Sequence, residues 1–93
     1  MNKLIDKMMT ISTIHVSPET AHLLDDELTV TKWGLIVYEK SAYGWFINLG
    51  FDELFNVPLD LLHCINYALE NGCSWLCLDR DGDVADDLLT YDW

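Results

Sequence analysis

The chain has 93 residues and a formal net charge of −11, because sixteen acidic side chains outnumber five basic ones. A chain of this length forms one domain, and its hydrophobic content of 51% is enough to build a core. The excess of acids opposes the approach of nucleic acid and of anionic membranes, so neither is expected as a direct partner. It favours a basic protein partner instead.

The sequence carries no signal-peptide pattern and no apolar run long enough to span a bilayer, which predicts a cytoplasmic protein. The cysteines Cys64, Cys73 and Cys77 lie in apolar surroundings and cannot all pair within one chain, so reduced core thiols are expected. Residues 1–10 are expected to form a flexible extension, and residues 11–93 a single domain.

The first half of the chain predicts a strand and a helix. Apolar and polar residues alternate over residues 11–16, which predicts a strand with Thr13 and His15 on its solvated side. A serine followed by proline and an acid starts a helix over Pro18–Leu28. The β-prone residues 29–33 are then expected to form a connection.

The second half predicts a hairpin, a long helix and a buried strand. The two hairpin strands are expected over residues 35–40 and 45–49, around a turn that ends at Gly44. A proline in the first turn and a glycine after the last frame a helix over residues 60–71. Residues 75–78 then form a strand that is apolar on both faces.

The resulting order, βαββαβ, predicts an α+β fold: a small antiparallel sheet with two helices on one face, for which the ferredoxin-like topology is one arrangement. Two helices leave the other sheet face uncovered, although the strand at residues 75–78 is apolar on both sides. A homodimer or another partner is therefore expected on that face, unless the C-terminal residues fold over it. A last short element is expected within residues 84–89.

Two segments supply most of the negative charge. Residues 79–93 hold six aspartates and one arginine, a net of −5, and residues 19–28 hold four acids and no base, a net of −4. Three of these four acids end the predicted helix, where they oppose its dipole. Acids interspersed with aromatic side chains are typical of a surface that binds a basic, partly apolar partner. The predicted partner-binding residues are Asp79, Asp81, Asp83, Asp86, Asp87, Tyr91, Asp92, Trp93, Asp25, Asp26 and Glu27.

Motifs for a metal or for catalysis are weak. The alternating acids that begin at Asp79 suggest a calcium loop, but Val84 and Thr90 stand where that loop requires glycine and glutamate. Cys73 and Cys77 have the wrong spacing for zinc. No cofactor, no metal and no enzymatic activity are therefore expected, and a small metal-binding protein is the third alternative for the function.

Four short motifs resemble a family of short acidic bacterial proteins of unknown function, which occur on plasmids and prophages near toxin-antitoxin and antirestriction genes. The resemblance covers residues 11–93. The motifs are Tyr43-Gly44-Trp45-Phe46, Gly72-Cys73-Ser74-Trp75-Leu76, Leu78-Asp79-Arg80-Asp81-Gly82 and Tyr91-Asp92-Trp93.

This resemblance implies a setting on mobile genetic elements and no catalytic residue. Together with the charge, it leads to the expectation of a non-enzymatic inhibitor of a host defence system, such as an anti-CRISPR protein, whose carboxylates mimic DNA phosphates on a basic nucleic-acid-binding host protein. The alternative is a toxin-antitoxin accessory or antitoxin-like protein that binds its partner through the apolar sheet face. Phosphate mimicry predicts binding that weakens steeply with salt, whereas an apolar interface responds little.

Overall fold

A four-stranded sheet with helices packed on one of its faces forms the domain in the computed structural model, which describes residues 4–93. A short 3-10 turn follows the first strand. The elements are β1 (Met8–Ser12), the 3-10 turn (Thr13–His15), α1 (Pro18–Leu24), α2 (Glu27–Trp33), β2 (Ile36–Glu39), β3 (Gly44–Asn48), α3 (Leu59–Glu70) and β4 (Trp75–Asp79).

The strands lie in the order β1-β4-β3-β2, with β1 parallel to β4 and the other neighbours antiparallel. The α+β class is confirmed. The expectation of a wholly antiparallel sheet is wrong, because β1 and β4 run in the same direction and the sheet is mixed. Strands this distant in sequence can pair in either direction, since a long crossover permits parallel neighbours. The ferredoxin-like arrangement is only one of the topologies that this order of elements allows.

The segment predicted as one helix over Pro18–Leu28 lies in two helices, so residues 4–93 contain three α-helices. The backbone leaves the helical conformation at Asp26, whose side chain accepts a hydrogen bond of 3.1 Å from the Leu28 N–H and caps α2. The expected connection over residues 29–33 is therefore helical. Gly34, with φ of 88°, ends α2 in the left-handed conformation. Because the acids after α1 begin α2, they stabilise its N-terminal dipole rather than opposing that of a longer helix.

The first strand begins and ends earlier than the alternation predicts. β1 includes residues 8–10, which were expected to lie in the extension, and residues 1–3 are outside the described part of the chain. After Ser12 the backbone tightens into the 3-10 turn, and the Ser12 hydroxyl accepts a hydrogen bond from the Ile14 N–H. Thr13 and His15 are buried rather than solvated, because this turn changes the direction in which side chains point.

The long helix and the hairpin are confirmed. Pro58 directly precedes α3, and Gly72, with φ of 75°, follows its C-cap residue. The backbone N–H of Cys73 reaches back to the Ala68 carbonyl oxygen, which completes the helix end. In the hairpin, the Lys40 N–H donates to the Gly44 carbonyl oxygen at 2.8 Å and closes the turn between β2 and β3.

One apolar core lies between the sheet and the helices. Alternate residues of the strands point into it, and α1, α2 and α3 each contribute one buried stripe. Trp33, expected at a loop, is buried in this core. The residues of the core are Ile11, Val16, Ala21, Leu24, Val30, Trp33, Leu35, Trp45, Ile47, Leu49, Leu61, Cys64, Ile65, Ala68, Leu76 and Leu78.

The other face of the sheet carries the intervening strand residues, and we call it the outer sheet face. Within residues 4–93 no helix lies on it, and no described helix is long and apolar enough to cross a bilayer. By the strand registers, the outer sheet face consists of Met8, Thr10, Ser12, Ile36, Tyr38, Gly44, Phe46, Asn48, Trp75, Cys77 and Asp79, and Lys40, directly after β2, pairs with Asp79 there.

The C-terminal residues do not contain the expected last element. Residues 80–93 form turns and extended backbone, with no helix or strand between Val84 and Leu89. Ala85 and Leu88 nevertheless pack against the core. Isolated apolar contacts thus hold this segment without regular hydrogen bonding.

Gly44 is required by the close approach of β3 to β4. A Cβ atom at this position would lie 1.7 Å from the Leu78 carbonyl oxygen, and φ is 155°. We expect Gly44→Ala to destabilise the domain by about 2–4 kcal/mol, because the two backbones must separate. The free energy of unfolding in urea measures this loss.

Gly72→Ala is the matched control for this prediction. Gly72 also has a positive φ, but an added Cβ atom would meet nothing within 4 Å. We expect this variant to lose only about 1–2 kcal/mol of stability, which is the cost of placing alanine in the left-handed conformation. Equal losses in the two variants would contradict the importance of the β3–β4 approach.

Candidate functional site

The C-terminal acidic segment, residues 79–93, leaves the sheet at the end of β4 and runs beside the end of β1 and the 3-10 turn. The Ser12 N–H donates to the Asp83 carbonyl oxygen at 2.9 Å, and the Tyr91 N–H donates to the Ile14 carbonyl oxygen at 2.8 Å. At the end of the chain, the Trp93 indole N–H donates to the Val16 carbonyl oxygen at 3.0 Å. The segment is therefore fixed along its length although it has no regular secondary structure.

His15 makes the central contacts of this arrangement. Its Nε2 accepts a hydrogen bond of 2.8 Å from the Ala85 N–H, and its Nδ1 lies 2.8 Å from the Leu89 carbonyl oxygen. A carbonyl can only accept, so Nδ1 must carry the proton and the ring is neutral in this arrangement. The side chain is 1% exposed. One imidazole thus binds two backbone groups of the acidic segment, a role that the alternation around residues 11–16 did not predict.

Five aspartates of the segment point to solvent. Asp87 accepts a hydrogen bond of 3.2 Å from the Tyr67 hydroxyl, and burial, followed by the charge of Asp87, raises the pKa of that tyrosine. The exposed aspartates are Asp81, Asp83, Asp86, Asp87 and Asp92. Their carboxylates are therefore presented on a fixed backbone.

Asp79 differs from the other aspartates of the C-terminal acidic segment because it is buried and forms an ion pair. Its carboxylate binds the Lys40 ammonium and also accepts a hydrogen bond of 2.9 Å from the Asp81 N–H. The hydrogen bond from Lys40, and then that from Asp81, holds the pKa of Asp79 below its usual range. The same bond raises the pKa of Lys40. Asp79 therefore stabilises the end of β4 and is not free for a partner.

The second acidic group, Asp25, Asp26 and Glu27, lies at the junction of α1 and α2. All three side chains are exposed, but two have structural contacts as well. Asp26 caps α2, and Asp25 accepts a hydrogen bond of 2.8 Å from the Trp45 indole N–H. Glu27 lies in the first turn of α2.

An open pocket of about 400 Å³ is lined by one residue of the second acidic group and by two residues of the C-terminal acidic segment. Asp25 lines it from the helix junction and Trp93 from the C-terminal acidic segment, with Tyr43 and Trp45 between them. The Arg80 guanidinium lies 5.1 Å from the centre of the Tyr43 ring in the same cavity. The structure therefore brings together predicted site residues from both segments, along with an aromatic cluster.

Asp60 is a buried carboxylate that sequence reasoning missed. Its oxygens accept hydrogen bonds from the Ser17 N–H at 2.7 Å, the Thr20 hydroxyl at 2.9 Å and its neighbour's N–H at 2.9 Å. It joins the starts of α1 and α3. The sequence feature that could have indicated this role is the position of Asp60 in the first turn of α3, because the helix dipole favours acids there.

The cysteines form no disulfide bond. All three are free, and burial raises the pKa of the Cys64 thiol to about 12. Among residues 4–93 no group of three His, Cys, Asp or Glu side chains is arranged to hold a metal ion.

Removing the His15 imidazole should release the C-terminal acidic segment. We expect His15→Ala to lower the free energy of unfolding by about 2–4 kcal/mol, because two backbone groups lose their partner and a cavity forms. Hydrogen exchange of the Ala85 amide should accelerate, since its N–H donates to this ring. His22→Ala, at an exposed position of α1, is the control, and unchanged exchange at Ala85 in His15→Ala would contradict the assigned role.

The Lys40–Asp79 pair should make stability depend on pH. Because the pKa of Asp79 is lowered in the folded chain, its contribution is present above the ordinary pKa of about 4 and is lost as pH falls through the lowered value. Because the pKa of Lys40 is raised, its contribution is present below about 10.4 and is lost as pH rises through the raised value.

Thermal unfolding at several pH values tests this dependence. Asp79→Asn should lower the midpoint at neutral pH, and its difference from the parent should shrink as the pH is lowered through the acidic range. Asp52→Asn, on an exposed loop, is the control and should change the midpoint little. A difference between Asp79→Asn and the parent that stays constant down to low pH would argue against the pair.

The chain matches a known family model. Residues 8–93 match the model described as the C-terminal domain of DUF5983, a family of unknown function. No curated protein and no solved structure matches the chain.

Proposed function

The chain belongs to this family of unknown function, DUF5983, and we propose that it is a non-enzymatic domain that binds a basic protein. Its binding surface is formed by the exposed carboxylates of the C-terminal acidic segment and of the α1–α2 junction. These carboxylates take the place of nucleic-acid phosphates on the partner. The partner is therefore a protein with a nucleic-acid-binding surface.

The fixed course of the C-terminal acidic segment is the observation that carries this proposal. An acidic tail that only increases solubility needs no defined path, yet this segment is bound by the His15 ring and by the Ile14 and Val16 carbonyl groups. A surface that is ordered before binding loses less conformational entropy when a partner arrives. The carboxylates are thus prearranged for recognition.

Within residues 4–93, no basic side chain forms an ion pair with the carboxylates of this surface. Among residues 4–93, Lys40 and Asp79 form the one ion pair between a basic and an acidic side chain. The exposed aspartates at positions 81, 83, 86, 87 and 92 have no such partner among these residues. Repulsion among them disfavours the folded chain, and the basic groups of a partner would relieve it.

The cavity beside Asp25 and Trp93 supports the inclusion of both acidic regions in one surface. Trp93 is 60% exposed although its indole N–H is bound to Val16, so its ring offers apolar area next to the carboxylates. Aromatic side chains in such positions are frequent anchors of protein interfaces. The proposed surface contains Asp81, Asp83, Asp86, Asp87, Tyr91, Asp92, Trp93, Asp25, Asp26 and Glu27, and omits the paired Asp79.

The biological role that we propose is inhibition of a host defence system on behalf of a mobile genetic element. The resemblance to plasmid and prophage proteins supports this setting, and the acidic surface supports the mode of action. The domain would occupy the basic site of a defence protein and exclude its nucleic acid. The interaction would therefore compete with DNA or RNA for the same site.

Neutralising the acidic segment tests this function. The variant with Asp81, Asp83, Asp86 and Asp87 all changed to Asn loses four charges, which takes the net charge from −11 to −7. We expect it to lose partner binding while its thermal midpoint stays the same or rises, because like-charge repulsion is removed. The immobilised chain is used to capture proteins from a host lysate, which are quantified by mass spectrometry.

The matched control changes Asp6, Asp52, Glu53 and Glu70 to their amides, which gives the same net charge through exposed acids outside the proposed surface. It should retain the basic nucleic-acid-binding proteins that the parent captures. Added duplex DNA should displace them, and capture should weaken at least about tenfold between about 50 and 200 mM salt. Equal capture by the two variants would show that the acidic segment is not the binding surface.

A further inference from the structure

The outer sheet face carries exposed apolar side chains that the proposed function leaves unused. Met8, Ile36 and Tyr38 are 44%, 58% and 55% exposed, and they lie on the two edge strands of the sheet. Phe46 and Trp75 lie between them on the inner strands, and the Tyr38 and Trp75 rings are 6.1 Å apart. These side chains form a continuous aromatic and aliphatic patch across all four strands.

This face is electrically neutral in a chain whose net charge is −11. The acid on it, Asp79, is paired with Lys40, and the Lys40 ammonium lies 5.8 Å from the centre of the Phe46 ring. The other side chains at these register positions are apolar, or are the uncharged Thr10, Ser12, Asn48 and Cys77. Two copies of so acidic a chain can approach through this face with the exposed carboxylates of Asp6 and Asp81 just outside the strands, beyond Met8 and Asp79.

Within residues 4–93, no helix of the chain covers this face, and the C-terminal residues lie elsewhere. The C-terminal acidic segment is bound to the 3-10 turn by His15, and its Ala85 and Leu88 side chains pack against the core on the opposite side of the sheet. Reaching the outer sheet face would break these contacts. The sequence-based alternative, in which the C-terminal residues fold over the face, is therefore not what the structure adopts.

The size of the face sets the strength of any self-association. Four strands spaced about 4.8 Å apart, with about five residues rising 3.4 Å each, span roughly 300 Å² of sheet plane. With their side chains, two such faces bury on the order of 1,000 Å², slightly below the range of about 1,200–2,000 Å² for stable interfaces. The expected dimer is thus weak, with a dissociation constant of about micromolar or higher.

We propose that the outer sheet face of one chain packs against the same face of a second copy, which forms a weak, two-fold symmetric homodimer. The two sheets would stack about 10 Å apart, as in a β-sandwich, and Tyr38, Phe46 and Trp75 of both copies would fill the space between them. This inference goes beyond the proposed function and does not rest on it.

Salt should strengthen this dimer. Screening reduces the long-range repulsion between two chains of charge −11, and the apolar contact itself does not depend on ion pairs. Binding of a basic partner to the acidic segment has the opposite salt dependence. The two interactions can therefore be separated by one variable.

Sedimentation velocity over a wide concentration range measures the association. Met8→Lys and Tyr38→Lys place a charge at opposite edges of the face, on β1 and β2 respectively. Each lowers the net negative charge by one, so a weaker dimer cannot be attributed to greater repulsion. Leu69→Lys, at an exposed position in the last turn of α3, is the matched control.

The parent and Leu69→Lys should form a dimer in equilibrium with the monomer, and both face variants should weaken it at least about tenfold, which corresponds to about 1.4 kcal/mol. Weakening by only one face variant would indicate pairing through that edge strand and would overturn face-to-face packing. So would a parent that stays monomeric up to about 1 mM, or a dimer that dissociates as salt rises. The variant with four neutralised aspartates should still dimerise, so failure of this proposal is distinguishable from failure of the proposed function.

Discussion

The buried His15 imidazole joins the first and last parts of the chain, and the candidate surface depends on this connection. The 3-10 turn brings the ring into the interior, where it binds the backbone at Ala85 and Leu89. The neighbouring Ile14 and Val16 carbonyl groups bind Tyr91 and Trp93. A segment with this density of aspartates would otherwise favour an extended, solvated state, because its charges repel one another. The histidine thus converts an acidic chain end into a defined surface.

The acids of this protein fall into two groups with different physical roles. Asp60, Asp26 and Asp79 accept hydrogen bonds from backbone or side-chain donors and hold the ends of helices and strands. The exposed aspartates of the C-terminal acidic segment form few contacts of this kind, Asp87 with Tyr67 being the exception. Only the second group requires an explanation outside the fold. The net charge therefore overstates how many carboxylates are available to a partner.

Elements with local signals were predictable from the sequence. α3 has a proline before it, an apolar stripe and a glycine after it, and the hairpin has Gly44 at its turn. The boundary between α1 and α2 was not predictable in the same way, because Asp26 reads equally as the last turn of one helix or the cap of the next. The pairing of β1 with β4 depends on contacts between distant residues, which the order of elements does not determine.

The candidate site was predictable in composition but not in geometry. The density of aspartates after β4 indicated the right segment, whereas the burial of Asp79 depends on Lys40, which is distant in sequence. His15 was assigned to solvent because a strict alternation was assumed, and a 3-10 turn changes that alternation. The contribution of Asp25 to the same cavity as Trp93 follows from the tertiary fold alone.

The sheet separates two surfaces of opposite character. The outer sheet face is neutral and mostly apolar, and the C-terminal acidic segment shares Asp79 with it and then continues beside the 3-10 turn. Contact through one surface therefore leaves the other accessible.

In a homodimer formed through the outer sheet faces, two acidic surfaces would be exposed at once. A partner with two basic sites related by symmetry could engage both, and the second contact would then be intramolecular, which raises the overall affinity without any new interaction. A weak dimer would be sufficient for this effect, because a bivalent partner would itself favour the dimeric state.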